Sequence, residues 1–390
     1  MNNFKLHAPT DFVFGKEAEL QVADMLKKHG ATKVLIHYGS GSVIKSGLMQ
    51  RVEDVLNAAN ISYVKLGGAQ PNPVDTLVYE GIDLCRKENV DFILAVGGGS
   101  TIDSAKSIAV GVPYDGDFWD LFDGKTIEKA IPVATILTIP AAGSEASDSM
   151  VLNGTKGGKV LKRGAGSSHV IPVFSLLNPE LNYTLPAFQT ACGVADMMAH
   201  VMERYFTTVK DVEISDRLCE AILLAIITEA PKAIKDPNNY SARANLTWAG
   251  TVAHNGSCGV GRIGDWSSHN LEHELSALYD VAHGAGLAVM FPAWMKFVCE
   301  TDLDRFVQFA GRVWGVDTFG DKKAVALKGI EEMEKFFTSI GLPINFEQLG
   351  AKKEDIDKMV ETLNINVGDT FGSFKKLTMD DARKIYELAV

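Results

Sequence analysis

The feature that most constrains this chain is a change of rhythm near residues 178–186: short apolar runs alternate with helical windows before it, and only helical windows follow. In the first part, Glu17–His29 has helical periodicity and ends at Gly30, and the apolar run Lys33–His37 breaks at Tyr38-Gly39-Ser40-Gly41-Ser42. Met49–Ala59 predicts a second helix, Ile61–Leu66 a second strand, and Gly67-Gly68 to Pro73 a loop. A helix over Val74–Glu88 leads to the strand Phe92–Val96, which runs straight into Gly97-Gly98-Gly99-Ser100 and a helix carrying Asp103 and Lys106. Pro132–Ile139 reads as one more buried strand, ending in the polar turn Gly143-Ser144-Glu145. Strands separated by helices pair in parallel, because each helix returns the chain to the edge it left. From Ala187 onward the windows Val212–Ile234, Ala242–Ala253 and Ala324–Ile340 are long and helical. The expected fold is an α/β Rossmann-like, doubly wound parallel sheet over residues 1–185, followed by an all-helical domain over residues 186–390. A length of 390 residues also exceeds what one hydrophobic core sustains.

Bulk properties remove several classes of function. A net charge of -11 repels phosphate backbones, and no Lys/Arg stripe interleaved with aromatics offsets it, so nucleic acid is not an expected partner. No apolar run approaches the roughly 20 residues that span a bilayer, and Met1–Thr10 lacks the pattern of a secretory signal. Cys85, Cys192, Cys219, Cys258 and Cys299 are scattered without a CxxC pair, which suits reduced thiols and a cytoplasmic location.

Two glycine-rich turns point to a dinucleotide. Gly97-Gly98-Gly99-Ser100 joins a strand to a helix, where small residues admit close backbone approach and the helix start favours an anion. The spacing is neither GxGxxG nor a Walker A loop, and a glycine cluster alone is equally a tight turn of any α/β protein. Gly39-Ser40-Gly41-Ser42 is a second such turn, at the end of an earlier strand, where an adenosine ribose sits in open sheets. It presents no carboxylate that would repel a 2'-phosphate, which leans the cofactor towards NADP, with NAD as the alternative.

The second half carries metal-competent side chains. Asp196 and His200 lie four apart on a helical segment and share a face, so both could grip one cation. Alone, such a pair is commonly a hydrogen bond or a satisfied core histidine, and it needs distant partners. His254, His269, His273 and His283 put four of the nine histidines into one short stretch. HxxxH at His269 and His273 lacks the glutamate of HExxH, since Asn270 follows the first histidine, and peptide hydrolysis is disfavoured. An Asp with three His suits Fe²⁺, Zn²⁺ or Mn²⁺, and spacing alone does not select the three.

Taken together, Tyr38-Gly39-Ser40-Gly41-Ser42, Gln70-Pro71-Asn72-Pro73, Ala95 to Ser100, Leu137 to Glu145, the Asp196–Glu203 helix and Tyr279-Asp280-Val281-Ala282-His283-Gly284 closely resemble the iron-containing, group III alcohol dehydrogenase family, in particular its butanol dehydrogenase and broad-range aldehyde reductase branch. The likeness covers nearly the whole chain. It implies a homodimer-forming subunit of the dehydroquinate synthase-like, iron-dependent alcohol dehydrogenase fold, with the site in the cleft between its domains. By resemblance the metal ligands fall on Asp196, His200, His269 and His283, the ion being Fe²⁺ or Zn²⁺, with His273 behind them or facing substrate. The cofactor contacts fall on Gly39, Ser40, Gly97, Gly98, Gly99, Ser100, Asp103, Thr138, Ser144 and Lys162. Asn178 departs from the family's usual aspartate before Pro179, away from the expected chemistry.

A cation in such a site polarises an aldehyde oxygen while a nicotinamide delivers hydride, and His273 is the candidate proton relay, although it could merely pack or orient a ligand. Two rivals fit parts of the pattern. A dehydroquinate synthase-type lyase needs a basic pocket, yet Arg262 to Pro292 holds one Arg and no Lys, and Trp266 and Tyr279 there suggest a mostly uncharged ligand; that it is a small aldehyde or primary alcohol is what the resemblance implies. A non-catalytic dinucleotide-binding protein would not need four metal-competent side chains.

Overall fold

Alternate residues of the sheet strands enter two different cores, which makes the sheet doubly wound. In the computed structural model, which describes residues 1–156 and 158–390, the strands are β1 (Asp11–Phe14), β2 (Lys33–Gly39), β3 (Ser62–Ala69), β4 (Phe92–Gly97), β5 (Val133–Leu137), the hairpin β6 (Ser149–Lys156) and β7 (Lys159–Gly166), and β8 (Phe174–Leu177). Six form one sheet in the order β1-β8-β5-β4-β2-β3, with every pairing parallel. Helices α1 (Val22–Lys28), α2 (Ser42–Lys45) and α3 (Leu48–Ala58) belong to the core that takes Val34, Ile36, Leu94 and Ile136. Helices α4 (Asp75–Glu88) and α5 (Gly99–Gly111) belong to the core that takes Leu35, Ile93, Ala95 and Val133. Strands buried on both faces read as continuous apolar runs, as β4 does with all six residues buried.

The chain divides into two compact units, His7–Thr184, and Leu185–Val390 with Met1–Leu6. The first six residues therefore count with the helical unit, unlike the continuous run 1–185 expected above. Asn2 N–H donates to the Gly261 carbonyl at 2.8 Å. The helical unit holds α6 (Ala187–Tyr205), α7 (Glu213–Lys235), α8 (Tyr240–His254), α9 (Ser267–Tyr279), α10 (His283–Val298), α11 (Leu303–Trp314), α12 (Lys322–Ser339), α13 (Phe346–Leu349), α14 (Ile356–Val367) and α15 (Met379–Leu388). Helix α10 runs through its centre, buried from Gly284 to Met295. It approaches α6 so closely that a Cβ at Gly284 would stand 1.9 Å from the Cys192 carbonyl oxygen. Among the described residues, no helix is long and apolar enough to cross a membrane.

Three local readings change. The Glu17–His29 window splits into a 3-10 turn, Ala18–Gln21, and α1. The helical half is not purely helical, because Thr370–Phe371 and Leu377–Thr378 pair as short antiparallel strands, β9 and β10. Strands β1, β6, β7 and β8 had no strand expectation at all.

His37 on β2 yields a pH test of the fold. Its ring is buried between the Leu66 carbonyl, 3.0 Å from Nδ1, and Ser104 Oγ, 2.9 Å from Nε2, and burial pushes its pKa down to about 4. Between pH 6.5 and 4 the unfolded chain binds a proton that the folded chain does not, so stability falls with acidification across that window. The loss by pH 4.5 amounts to about 2 kcal/mol at this one group. His37→Asn should be less stable than the parent at pH 7, with the gap in urea midpoints narrowing by pH 4.5. A gap that stays constant would show that His37 does not set this dependence.

Candidate active site

Helix α6 presents Asp196, His200 and Glu203 at spacings of four and three, on one face. His200 Nδ1 stands 3.3 Å from Asp196 Oδ1, without hydrogen-bond geometry. Helix α9 adds His269, whose ring centroid is 4.8 Å from that of His200. Ligand atoms of Asp196, His200 and His269 all lie within 4.8 Å of one another, and all three residues are buried. His283 opens α10 and brings Nε2 to 3.7 Å from Asp196 Oδ1. The four side chains that resemblance singled out are thus brought together.

Their electrostatics suit a cation. Burial, aided by His254, His269 and Arg204, holds the His200 pKa well below the usual imidazole value, so its ring is neutral and keeps a lone pair. His269 donates from Nδ1 to Glu203 Oε1 at 2.8 Å, while its Nε2 is buried and makes no hydrogen bond. His283 bonds through Nδ1 to Glu272 Oε2. Asp196, Glu203 and Glu272 are three buried carboxylates, an arrangement that an ion of charge +2 offsets. One oxygen and three imidazole nitrogens could hold Fe²⁺ or Zn²⁺, and the residues present fit that group.

The other two histidines of the stretch are also nearby. His254, at the end of α8, packs edge-on against His200 with centroids 4.2 Å apart. His273, half-buried one turn beyond His269, lies 5.7 Å from His283 and 6.5 Å from His269 between ring centroids. Of the two aromatics expected against substrate, Trp266 packs on His200, His254 and His269. Tyr279 instead bonds outward, its hydroxyl donating to Asp355 and accepting from the Lys352 amide.

Within the α/β unit, Gly39, Gly97 and Thr138 mark the carboxyl ends of β2, β4 and β5, and the Thr138 amide donates to the Gly97 carbonyl at 3.0 Å. Gly98 caps α5 without a side chain, and Gly99 and Ser100 form its first turn. A Cβ at Gly98 would meet Ile139 at 2.9 Å, so only glycine leaves this turn in place. Ser40 is exposed just past β2. Asp103 accepts from Ser144 Oγ at 2.6 Å and from the Val151 amide at 3.0 Å, tying α5 to β6. Lys162 lies on β7, with Nζ 3.1 Å from Asn72 Oδ1. Lys106, singled out beside Asp103, is instead a buried tie that donates to the carbonyls of Ser147 and Ser149.

Sequence reasoning missed the roles of Glu203, Glu272 and Asn72. A weak signal existed for two of them: Glu203 is seven residues after Asp196 on the same helix face, and Glu272 is three after His269.

Comparison with known proteins decides the lineage. The model of iron-containing alcohol dehydrogenase matches residues 9–179, and that of the Fe-containing alcohol dehydrogenase family, C-terminal, matches residues 190–390. The chain belongs to the iron-containing alcohol dehydrogenase family. It is 39% identical over 389 residues to NADH-dependent butanol dehydrogenase A of Clostridium acetobutylicum, covering 99% of each chain. It is 38% identical over 393 residues to the NADPH-dependent aldehyde reductase YqhD of Escherichia coli, covering 100% of each. The crystal structure of NADH-dependent butanol dehydrogenase A from Thermotoga maritima superposes with a TM-score of 0.97 at 39% identity, covering 100% of this chain and 99% of that one. As an iron-containing alcohol dehydrogenase, the protein is an oxidoreductase that works with a nicotinamide cofactor and a divalent metal. The expected family, fold class and type of reaction hold.

Proposed function

We propose that this dehydrogenase interconverts small, butanal-like aldehydes and primary alcohols with NADPH, NADH being the alternative donor, at a divalent ion held by Asp196, His200, His269 and His283. The observation that carries this reading is the convergence of one buried carboxylate and three imidazoles, two of which have Nδ1 engaged by glutamates and Nε2 left for an ion. When bound, Fe²⁺ or Zn²⁺ would polarise the aldehyde oxygen and the reduced nicotinamide would supply the hydride.

The chain's own residues do the rest. Gly97, Gly98, Gly99 and Ser100 offer backbone amides at the start of α5 to a diphosphate, and Gly39 and Ser40 take the ribose end without a carboxylate to repel a 2'-phosphate. Asp103, Thr138, Ser144 and Lys162 complete the cofactor contacts. His273 holds and moves the proton: it is half-buried on the ligand-bearing helix, and an imidazole exchanges protons near pH 7. His273→Ala should lower kcat about 10²-fold and remove one limb of its pH profile, with a smaller change in KM. An unchanged profile would exclude the relay.

Metal analysis of the purified protein, coupled to NADH and NADPH assays over straight-chain and branched aldehydes, tests the whole reading. Full activity in ion-free protein, or no aldehyde reduction at full ion occupancy, would overturn it. The same reading makes the protein a cytoplasmic homodimer. All five cysteines are buried free thiols, which suits a reducing compartment, and the family resemblance carries the dimer, which light scattering would test.

A further inference from the structure

We infer that Glu203 and Glu272 are positioning residues of the metal centre, each fixing the ligand histidine of the next helix so that α6, α9 and α10 are braced in series; this rests on the ligand assignment proposed above. Glu203, on α6, is fully buried and directs both oxygens to the start of α9. Its Oε1 accepts from Nδ1 of His269 at 2.8 Å and from the His269 amide at 3.1 Å, and its Oε2 accepts from the Trp266 amide at 2.6 Å. Trp266 has φ of 67°, a left-handed conformation that a bulky residue adopts only where its surroundings hold it. Arg204, also on α6, helps to hold it, with the guanidinium 4.8 Å from the Trp266 ring centroid.

The same device recurs one helix on. Glu272, on α9, is fully buried and accepts from Nδ1 of His283 and from Ser276 Oγ. Its seat is made by α10: a Cβ at Gly286 would come within 2.6 Å of Glu272 Oε1 and 2.7 Å of its Cγ. This gives a physical reason for the second glycine of His283-Gly284-Ala285-Gly286. Each glutamate holds its histidine in the tautomer whose Nε2 carries the lone pair, makes that nitrogen a stronger donor, and adds negative charge beside the cation. Helix α6 therefore supplies two ligands and braces a third on α9, and α9 braces the fourth on α10.

The test reads ion affinity rather than turnover. Purified protein stripped of metal is titrated with Zn²⁺ against a chromophoric chelator, and with Co²⁺ to follow the ligand-field absorption, with far-UV circular dichroism confirming the fold of each variant. Glu203→Gln and Glu272→Gln should each weaken binding 10–100-fold and shift the Co²⁺ spectrum. Gly286→Ala, which keeps both carboxylates but displaces Glu272, should weaken binding in the same direction. In a His283→Ala background, Glu272→Gln should have a clearly smaller effect, because the part of its action that runs through that ring is already lost, whereas Glu203→Gln should weaken binding as before.

Affinities within twofold of the parent for both Gln variants, or a Glu272→Gln effect that persists undiminished without His283, would overturn the inference. Should a Gln variant fail to fold, Glu203→Asp and Glu272→Asp retain the charge with a shorter reach, and unchanged affinity in both would overturn it equally. Asp196→Asn separates the two levels of argument. If it binds the ion as tightly as the parent, the ligand assignment itself falls; if it loses the ion while the glutamate variants do not, only the bracing role falls.

Discussion

His200→Ala is expected to leave a folded protein that retains less than about a tenth of its ion and reduces aldehydes about 10³-fold more slowly, a barrier increase of about 4 kcal/mol. His200 lies on the α6 face between Asp196 and Glu203, 3.3 Å from the Asp196 carboxylate and 4.8 Å, ring to ring, from His269. Burial keeps its ring neutral, so removing it takes away a donor that needs no deprotonation before it binds. The alanine also leaves Asp196, Glu203 and Glu272 buried around a weaker cation site. Elemental analysis and kcat/KM with butanal, measured with and without added Zn²⁺ or Fe²⁺, check the result. Parent-like occupancy with turnover within tenfold of the parent would sink the assignment of His200.

The largest expected effect on stability is at Gly284. A Cβ there would stand 1.9 Å from the Cys192 carbonyl oxygen and 2.6 Å from its carbonyl carbon, and backbone atoms cannot turn aside as a flexible side chain does. Gly284→Ala must therefore separate α10 from α6, at a cost of about 3 kcal/mol, the upper range for overpacking. In a unit of this size that corresponds to a Tm lower by about 8 °C. The same separation should weaken ion binding, because His283 adjoins the substitution and Asp196 is one turn from Cys192. Gly164→Ala is the control: its new Cβ would meet neighbours at 3.8 Å, an ordinary contact, and Tm should stay within about 2 °C. Equal melting of the two variants would show that the close approach of α6 and α10 is not limiting.

Much of the α/β architecture was legible because β2, β4 and β5 are buried on both faces and end in turn residues, so each appears as an apolar run with a punctuated end. Strands β1 and β8 were not, since four-residue segments are too short for periodicity to separate from loop. The β6–β7 hairpin did carry a signal, because Met150, Leu152 and Gly154 alternate inward along β6, but Ser149, Asn153 and Thr155 on its other face and the four glycines over residues 157–166 resemble loop composition. In the site, Asp196 and His200 could be paired by helical spacing, whereas the choice among four later histidines could not. That choice depends on contacts such as His269 with Glu203 and His283 with Asp196, between residues 66 and 87 positions apart, and on carboxylates that have no motif of their own.

The placement of Met1–Leu6 with the helical unit bears on how the polypeptide is made. The α/β unit is contiguous, so it can close on itself once Thr184 has left the ribosome. Among the described residues, Met1–Leu6 meet their partners later: the Lys210 carbonyl that accepts from Met1 and the Gly261 carbonyl that accepts from Asn2 are synthesised more than 200 and more than 250 positions on. In sequence the α/β unit is thus spliced into the helical unit, and Met1–Leu6 reach their native contacts only after the α/β unit is complete.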